Sequence, residues 1–497
     1  MSEPLRFGAL RPLPIAGFTA SEAAAAAAGV SVGVAWSTRV PVAMFVCALG
    51  VAAWAVAVLM VPSPRRRRLL ATSLLTVGLF VSAGDLSAKA MHGLSPATKG
   101  EFDGRVRLVS DPERRGAGVS AEVRWQAGRY QVWAFGRAAN VLQQAAVGEE
   151  VGIRGSVEPL DGPSGWALSR HLVGRIDATV LWRTGDEIGW WWRSTNAVRS
   201  HLAQGASGLG PVERALLLGF TVGDDRDLPD DVVDDFRASG LSHLTAVSGQ
   251  NVVLVLGLVA PLLKRASRHT RSVVLLAVLA WFGLLTRWEP SVVRAVVMAG
   301  VAVVSPVPNR PGGRFTLLAL VVGALLMIDP LLAWSVGFRL SVAATLGLVL
   351  LAGRLEKALP GPASVTQPIA VTAAAQLAVA PVQLATFGPV PMAALPANVA
   401  AGPVAAPLMV WGSTAGMVAG WLPVPAANAL HVPTRMMAGW VAMVARLGAD
   451  SAMPHIGWRQ LVAALVGIGV FWLSRRVSHR RGRFGADEVE ADLPAER

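Results

Sequence analysis

The chain has 497 residues, 53% of them hydrophobic and only 15% charged, with a mean hydropathy of +0.49. That is far too apolar for an ordinary soluble enzyme and points to a membrane protein. A formal net charge of +13 fits a nucleic-acid binder, but Lys- and Arg-rich cytoplasmic loops produce the same balance, so charge alone selects neither. Only Lys89, Lys99, Lys264 and Lys357 are lysines among 45 basic residues, and part of the arginine excess follows from a GC-rich coding bias. The single cysteine, Cys47, excludes an intramolecular disulfide and a cysteine-based metal site.

In chain order, Arg6, Arg11 and an alanine run from Ala23 to Ala28 resemble a signal peptide, but further apolar runs follow at once, so a retained first span is expected. Apolar runs at 21–37, 40–61 and 69–88 approach the roughly 20 residues needed to cross a bilayer. Arg65, Arg66, Arg67 and Arg68 separate the second and third. The positive-inside rule makes that loop cytoplasmic, places the N-terminus inside and sends the chain outside after residue 88. Residues 1–98 are thus read as N-terminal transmembrane helices and 99–183 as an extracytoplasmic domain.

That second segment has the period of strands. Phe102, Gly104, Val106 and Leu108 alternate with Asp103, Arg105 and Arg107; Ala121, Val123 and Trp125 alternate with Glu122, Arg124 and Gln126; Val151, Ile153 and Val157 share another face. Turns fall at Gly116 to Gly118, Gly148 and Asp161 to Gly165. Five short strands in about 85 residues suit a small all-β barrel of the oligonucleotide-binding (OB) kind. The strand pattern predicts Arg129, Gln131, Trp133, Phe135 and Arg137 on one face, opposite Tyr130, Val132 and Ala134. Aromatic rings interleaved with arginine are what single-stranded nucleic acid requires. With Arg105, Arg107 and Arg124 they form the candidate DNA-binding set, although acids and bases are about equal in the segment and a solvated barrel face has the same composition.

Residues 184–240 read as interfacial helices and an acidic loop. Trp190, Trp191 and Trp192 beside Arg193 suit a helix at the membrane surface. Asp224, Asp225, Asp227, Asp230, Asp231, Asp234 and Asp235 crowd the loop, with only Arg226 among them. Such a cluster holds a divalent cation in some proteins and more often marks a solvated external loop. Residues 241–474 form a second membrane domain, with spans near 241–263, 272–287, 291–307, 315–329, 331–352, 368–386, 392–420, 436–449 and 459–474. In all, about 10–12 spans are expected of a polytopic α-helical protein. Arg310 and Arg314, Arg354 and Lys357, and the basic tail 475–497 fall on the inside, so both termini are expected in the cytoplasm.

The densest polar signal is Gly240-Leu-Ser-His-Leu-Thr-Ala-Val-Ser-Gly-Gln-Asn251, at the mouth of an apolar span. Polar groups in hydrocarbon must face protein or water, so His243, Ser248, Gln250 and Asn251 line an interior cavity or else cap a helix at the interface, and Gly249 permits unwinding there. Arg294, four residues past Pro290, and Arg339 in Gly337-Phe-Arg-Leu-Ser341 are intramembrane cations. A guanidinium cannot be neutralised and is a functional candidate by default, with snorkelling to the headgroups as the competing reading. Gln376, Gln383 and Asn398 are further buried polar candidates, for which hydrogen bonding between helices is the plainer role. No Walker A loop and no H-E-x-x-H or H-x-H-x-D arrangement is present, so neither a motor nor a metal hydrolase is readable. No metal site and no cofactor is expected.

At these residues the sequence resembles the ComEC family of competence proteins, inner-membrane channels for DNA uptake. The marker is the Gly240 to Asn251 stretch, similar to the family's His-x-x-Ala-x-Ser-Gly. Supporting it in order are Leu218-Gly-Phe-Thr-Val-Gly-Asp224, Pro290-Ser-Val-Val-Arg-Ala-Val-Val-Met298, Asp329-Pro through Ser341, and Gln376 through Phe387-Gly388 to Asn398. Many members carry His where Asn251 stands. Many also continue into a metallo-β-lactamase-like domain; this chain stops after its basic tail, so nuclease activity is not expected of it.

The resemblance implies a channel for single-stranded DNA in the bacterial inner membrane, not an enzyme, with cell-surface DNA receptors, a cytosolic ATPase or helicase motor and a possible homo-oligomer as partners. His243, Ser248, Gly249, Gln250, Asn251, Arg294, Arg339, Ser341, Gln376 and Asn398 are the expected lining. Two readings compete. A small-molecule or ion transporter uses the same interrupted helices, and a membrane enzyme acting on lipid or cell-wall precursors uses His243 and Ser248 as its chemistry.

Overall fold

The computed structural model describes residues 97–461 except 161–163, 187, 246, 248 and 305–310, with 86, 89, 90, 94 and 463 besides. The three N-terminal apolar runs, the four-arginine loop, most of the run 459–474 and the basic tail lie outside the described residues.

The first structured unit is a closed β-barrel. Strands β1 (Gly100–Leu108), β2 (Glu113–Arg115), β3 (Gly118–Trp125), β4 (Gly128–Phe135), β5 (Glu150–Pro159) and β6 (Leu172–Arg183) pair in the order β1-β5-β6-β4-β3-β2. The sheet closes because β3 also pairs with β1, through Arg107 opposite Arg124 and Leu108 opposite Val123. Five strands make the barrel and the three-residue β2 extends β3; this short sixth strand has too little alternation to be visible in the sequence. All pairings are antiparallel except β4 with β6. The period-2 alternation places Phe102, Val106, Leu108, Ala121, Val123, Val132, Ile153 and Ile176 in one core. Each of these side chains larger than Ala121 contributes roughly 1.5–3 kcal/mol of hydrophobic burial. Helix α1 (Gly136–Gln144) lies between β4 and β5 and turns Ala138, Ala139 and Leu142 onto that core. Arg137 therefore belongs to this helix and not to the strand face predicted for it: Phe135 ends β4 and Gly136, at φ +56°, turns the chain.

The second unit is helical. A one-turn helix α2 (Gly165–Ser169) precedes β6, and α3 (Trp190–Gly205), α4 (Pro211–Val222) and α5 (Asp230–Ala238) follow it. The acidic stretch is thus not wholly a loop, since its second half is a helix with Asp230 and Asp231 in the first turn, where the helix dipole favours negative charge. Next come α6 (Gly249–Val259), α7 (Arg268–Leu285), α8 (Pro290–Val304), α9 (Pro311–Ile328), α10 (Val336–Ala358), α11 (Ala363–Phe387), α12 (Ala394–Ala419), α13 (Val424–Leu430) and α14 (Val432–Ala449). A two-residue pairing joins β7 (Val390–Pro391) to β8 (His455–Ile456).

Among the described residues, five stretches are long and apolar enough to cross a membrane: Ser242–Val259, α7, α10, α11 and α12; α8 and Gly313–Ile328 are shorter and apolar. The protein is therefore a helical membrane protein with an N-terminal β domain. The predicted span 331–352 starts later than expected. Asp329 and Pro330 open a 3-10 turn to Trp334, and α10 begins only after Ser335, whose hydroxyl accepts from the Phe338 amide at 3.2 Å.

Helix α12 presents Ala397, Ala401, Ala405 and Leu408 inward against α4, α5 and α14. Small residues permit close backbone approach. A Cβ on Gly205 of α3 would lie 2.0 Å from the Gly416 carbonyl oxygen of α12. Gly205→Ala is accordingly expected to force the two helices apart at a cost of about 1–3 kcal/mol. The check is the thermal unfolding midpoint of detergent-purified protein, which should fall; an unchanged midpoint contradicts this packing.

Candidate functional site

Five sequence segments, the Gly240 to Asn251 stretch among them, come together here. Gly240 has φ +73°, and a Cβ there would collide with Ala394 at 2.5 Å, so glycine lets this turn sit against the start of α12. Asn398, one turn along α12, donates from Nδ2 to the Ala394 carbonyl at 2.7 Å and to the Gly240 carbonyl at 3.5 Å. Asn251 is buried and donates from Nδ2 to the Phe220 carbonyl of α4 at 2.7 Å. A Cβ on Gly219 would lie 2.9 Å from the Thr245 carbonyl oxygen. Ser291, the second residue of α8, donates its hydroxyl to the Val247 carbonyl at 3.0 Å.

Arg294 completes the arrangement. It is buried on α8, its Nε donates to Ser341 Oγ of α10 at 2.9 Å and its Nη1 reaches Met298 Sδ at 3.1 Å. A Cβ on Gly249 would stand 3.2 Å from Arg294 Nη2, so the start of α6 abuts the guanidinium. Among the described residues Arg294 makes no ion pair; a hydroxyl and a thioether are its side-chain partners. A buried cation without a counter-ion is costly and is normally matched by an anion or by water.

His243 lies in a 3-10 turn, Ser242–Leu244, at the start of the apolar stretch Ser242–Val259, and hydrogen-bonds the Gly240 backbone. Gln250 and Asn251 line a small cleft with Phe220, Leu254 and Met409. Ser248 lies outside the described residues. Gln376 is half-buried on α11 and Arg339 is exposed on α10. Among the described residues no hydrogen bond joins either to the Arg294 group. Arg339 and Ser341 are two positions apart on one helix and so face nearly opposite directions. Gln383 keeps a buried Oε1 without a hydrogen-bond partner among the described residues.

The barrel face is divided. Ser120, Glu122 and Gln131 are buried at its centre, where Glu122 pairs with Arg170. At its rim Trp133 and Phe135 stack with centroids 6.4 Å apart and planes 17° from parallel, and the Arg175 guanidinium lies 5.2 Å from the Trp133 ring. Phe135 is 53% exposed. Arg124 is exposed and Arg129 half-buried, while Arg105 and Arg107 pair with Asp186 at 3.6 Å and Glu150 at 2.6 Å. Arg137 is exposed on α1.

A further polar group, not apparent in the sequence, joins the barrel to the bundle. Asp111, in the loop after β1, accepts from Arg287 Nε and Nη2 at 2.9 Å each and pairs with Arg199 Nη2 at 3.1 Å. Arg199 also pairs with Asp224 at 3.1 Å, and Arg226 holds Asp224 through two bonds at 2.6 and 2.7 Å. Asp224 was expected in a solvated acidic loop; Arg199 of α3 and Arg226 of the same stretch instead draw its end of that loop inward.

Burial pushes the Asp111 carboxyl up, but Arg199 and then Arg287 outweigh it and hold the group down at about 2. With a folded pKa below the unfolded value of about 3.9, its contribution is complete above pH ~4 and lost only as pH falls through about 2. Barrel docking measured by chemical cross-linking is therefore expected to be flat between pH ~8 and ~5, and a loss near pH ~6 contradicts the ionised assignment. Burial also raises the carboxyls of Asp225, beside Thr245, and of Glu289, facing Arg170.

The family model described as Competence protein matches residues 220–477, more than half of the chain. ComE operon protein 3 of Bacillus subtilis (strain 168) is 28% identical over 225 residues, covering 45% of this chain and 29% of that protein. The match thus spans less than a third of the length of that relative. No solved structure matches. All five segments that meet around Arg294 and Gly240 reach into the matched region, and the chain belongs to the competence protein family.

Proposed function

We propose that the chain is the inner-membrane conduit through which single-stranded DNA enters the cytoplasm during natural transformation, acting as a channel and not as an enzyme. The observation that carries this reading is Arg294, a buried guanidinium with no counter-ion among the described residues, seated where α6, α8 and α10 meet. A phosphodiester backbone cannot enter hydrocarbon, and a path for it needs water and cations without matched acids. Membership of the competence family and the name of the Bacillus relative support DNA uptake as the setting.

The barrel supports the same reading as an OB-like receiving domain on the outer side of the membrane. It has five strands in a closed circuit, one parallel pair and a helix between its third and fourth barrel strands. The stacked Trp133 and Phe135 rings offer two faces to bases and Arg124 a contact for phosphate. The two short apolar helices and the apolar runs outside the described residues bring the span count towards 10–12, with both termini in the cytoplasm. Energy for transport comes from a separate cytosolic motor, and the strand from surface receptors.

The test is the arrival of labelled DNA in the cytosol of competent cells whose sole family member is this chain. Entry of a single strand, dependent on the chain, is the expected result. Equal entry without it overturns the reading, and chain-dependent flux of a small solute with no DNA entry replaces it by a transporter.

A further inference from the structure

The junction between barrel and bundle is built from more ionic contact than a tether requires. Five charged side chains from four segments converge there: Asp111 from the β1 to β2 loop, Arg199 from α3, Asp224 and Arg226 from the turn after α4, and Arg287 from the turn between α7 and α8. Arg199 also donates to the carbonyls of Val222 at 2.6 Å and Leu285 at 3.1 Å, which end α4 and α7. Arg287 also donates to Asn196 at 2.7 Å and lies over the Trp192 ring at 5.6 Å. Arg226 Nη1 reaches the Pro112 carbonyl at 2.9 Å, so the barrel loop is gripped at two successive residues.

The turn that carries Arg287 is strained. Arg287 and Trp288 have φ of +59° and +55°, a conformation unfavourable for residues with a Cβ, which persists where surrounding contacts over-determine it. The contacts are Asp111 and Asn196 on Arg287, and the packing of Trp288 against Gly283, where a Cβ would lie 2.6 Å from the indole. Two residues later α8 begins, and α8 carries Arg294.

We propose that Asp111 is a positioning residue: with Arg287 and Arg199 it latches the barrel onto the bundle and, through the turn at 286–289, fixes the start of the helix that holds Arg294. The latch is a fixed seat, so the barrel is docked on the bundle in one orientation. Asp111 touches no cargo; it sets where the barrel's strand-binding rim stands relative to the path. The proposal rests on the conduit reading only for its consequence in transport, not for the docking itself.

The test uses the full chain in membranes, with Cys47→Ser and a reporter pair at a second barrel-to-bundle contact, His171→Cys with Asp329→Cys, whose native side chains lie 3.2 Å apart. A short bifunctional thiol reagent then reports docking without DNA. Asp111→Asn is expected to lower the bridging rate by about tenfold, because three guanidiniums are left around one carboxylate. Arg287→Gly is the control for folding. Glycine relieves the left-handed backbone while deleting the latch, so bridging should fall similarly at undiminished protein abundance. In chains without the reporter cysteines, DNA entry should fall with both substitutions while binding of single-stranded DNA to the purified protein stays unchanged. Undiminished bridging in both variants overturns the latch and leaves the conduit reading untouched. Lost bridging with normal DNA entry leaves the latch standing and overturns the barrel's place in the conduit.

Discussion

Replacing Arg294 by alanine is expected to lower DNA entry by about 100-fold at unchanged protein abundance. A unit charge 4 Å from a phosphate is worth about 4 kcal/mol at an effective dielectric near 20, and 100-fold corresponds to about 2.7 kcal/mol, so the loss requires only part of that interaction. Deleting the side chain leaves Ser341 as a neutral hydroxyl and removes the central cation from the meeting point of α6, α8 and α10. Arg294→Lys keeps the charge but loses the planar fork that reaches Ser341 and Met298 together, so an intermediate loss of about tenfold is expected. Entry counted as cytosolic label per cell decides the matter, and normal entry in the alanine variant contradicts the assignment.

The second large effect is on strand binding by the barrel. Trp133→Ala together with Phe135→Ala removes a stacked pair whose outer ring is more than half exposed. Base stacking on an aromatic ring contributes about 1–3 kcal/mol, so the double variant should bind a short single strand about 10- to 100-fold more weakly. The rings carry no charge, so the dependence of affinity on salt should keep its slope while the curve shifts as a whole. Titration of the full-length protein with labelled oligonucleotide at several salt concentrations measures both. Unchanged affinity would mean that bases stack elsewhere. Reversing Arg124, by contrast, should flatten the slope.

Much of the barrel was legible because its strands are half-buried. The alternation of Phe102, Val106 and Leu108 with Asp103, Arg105 and Arg107 reports a pleated surface with one wet face, and the structure buries the first set. Arg137 was misplaced because alternation carries no mark of where a strand stops; Gly136 was the local signal, and its left-handed φ ends the run. The polar stretch from Gly240 to Asn251 stood out because polar groups are conspicuous in an apolar background, and Arg294 for the same reason. The partnership of Arg294 with Ser341 was not legible, since it joins residues 47 apart on helices whose rotation only packing fixes.

The junction was invisible for a different reason. Arg199 and Arg287 are two arginines among many in an arginine-rich chain, and Asp111 lies 88 and 176 residues from them. Nothing in local period or composition distinguishes a buried ion network from solvated charge. Asp224 illustrates this, sitting in the most acidic run of the chain and yet drawn inward by Arg199 and Arg226.

The central claim is that water and charge penetrate the bundle as far as Arg294. It is tested most directly by introducing single cysteines at Asn251 and Ser341 in a Cys47→Ser background and treating intact membranes with a charged, membrane-impermeant maleimide. Both positions are expected to react, at least while DNA is being transported, whereas a cysteine at Val273, 65% exposed on the apolar helix α7, should be shielded by lipid. Both interior thiols unreactive in resting and transporting cells alike would contradict the account.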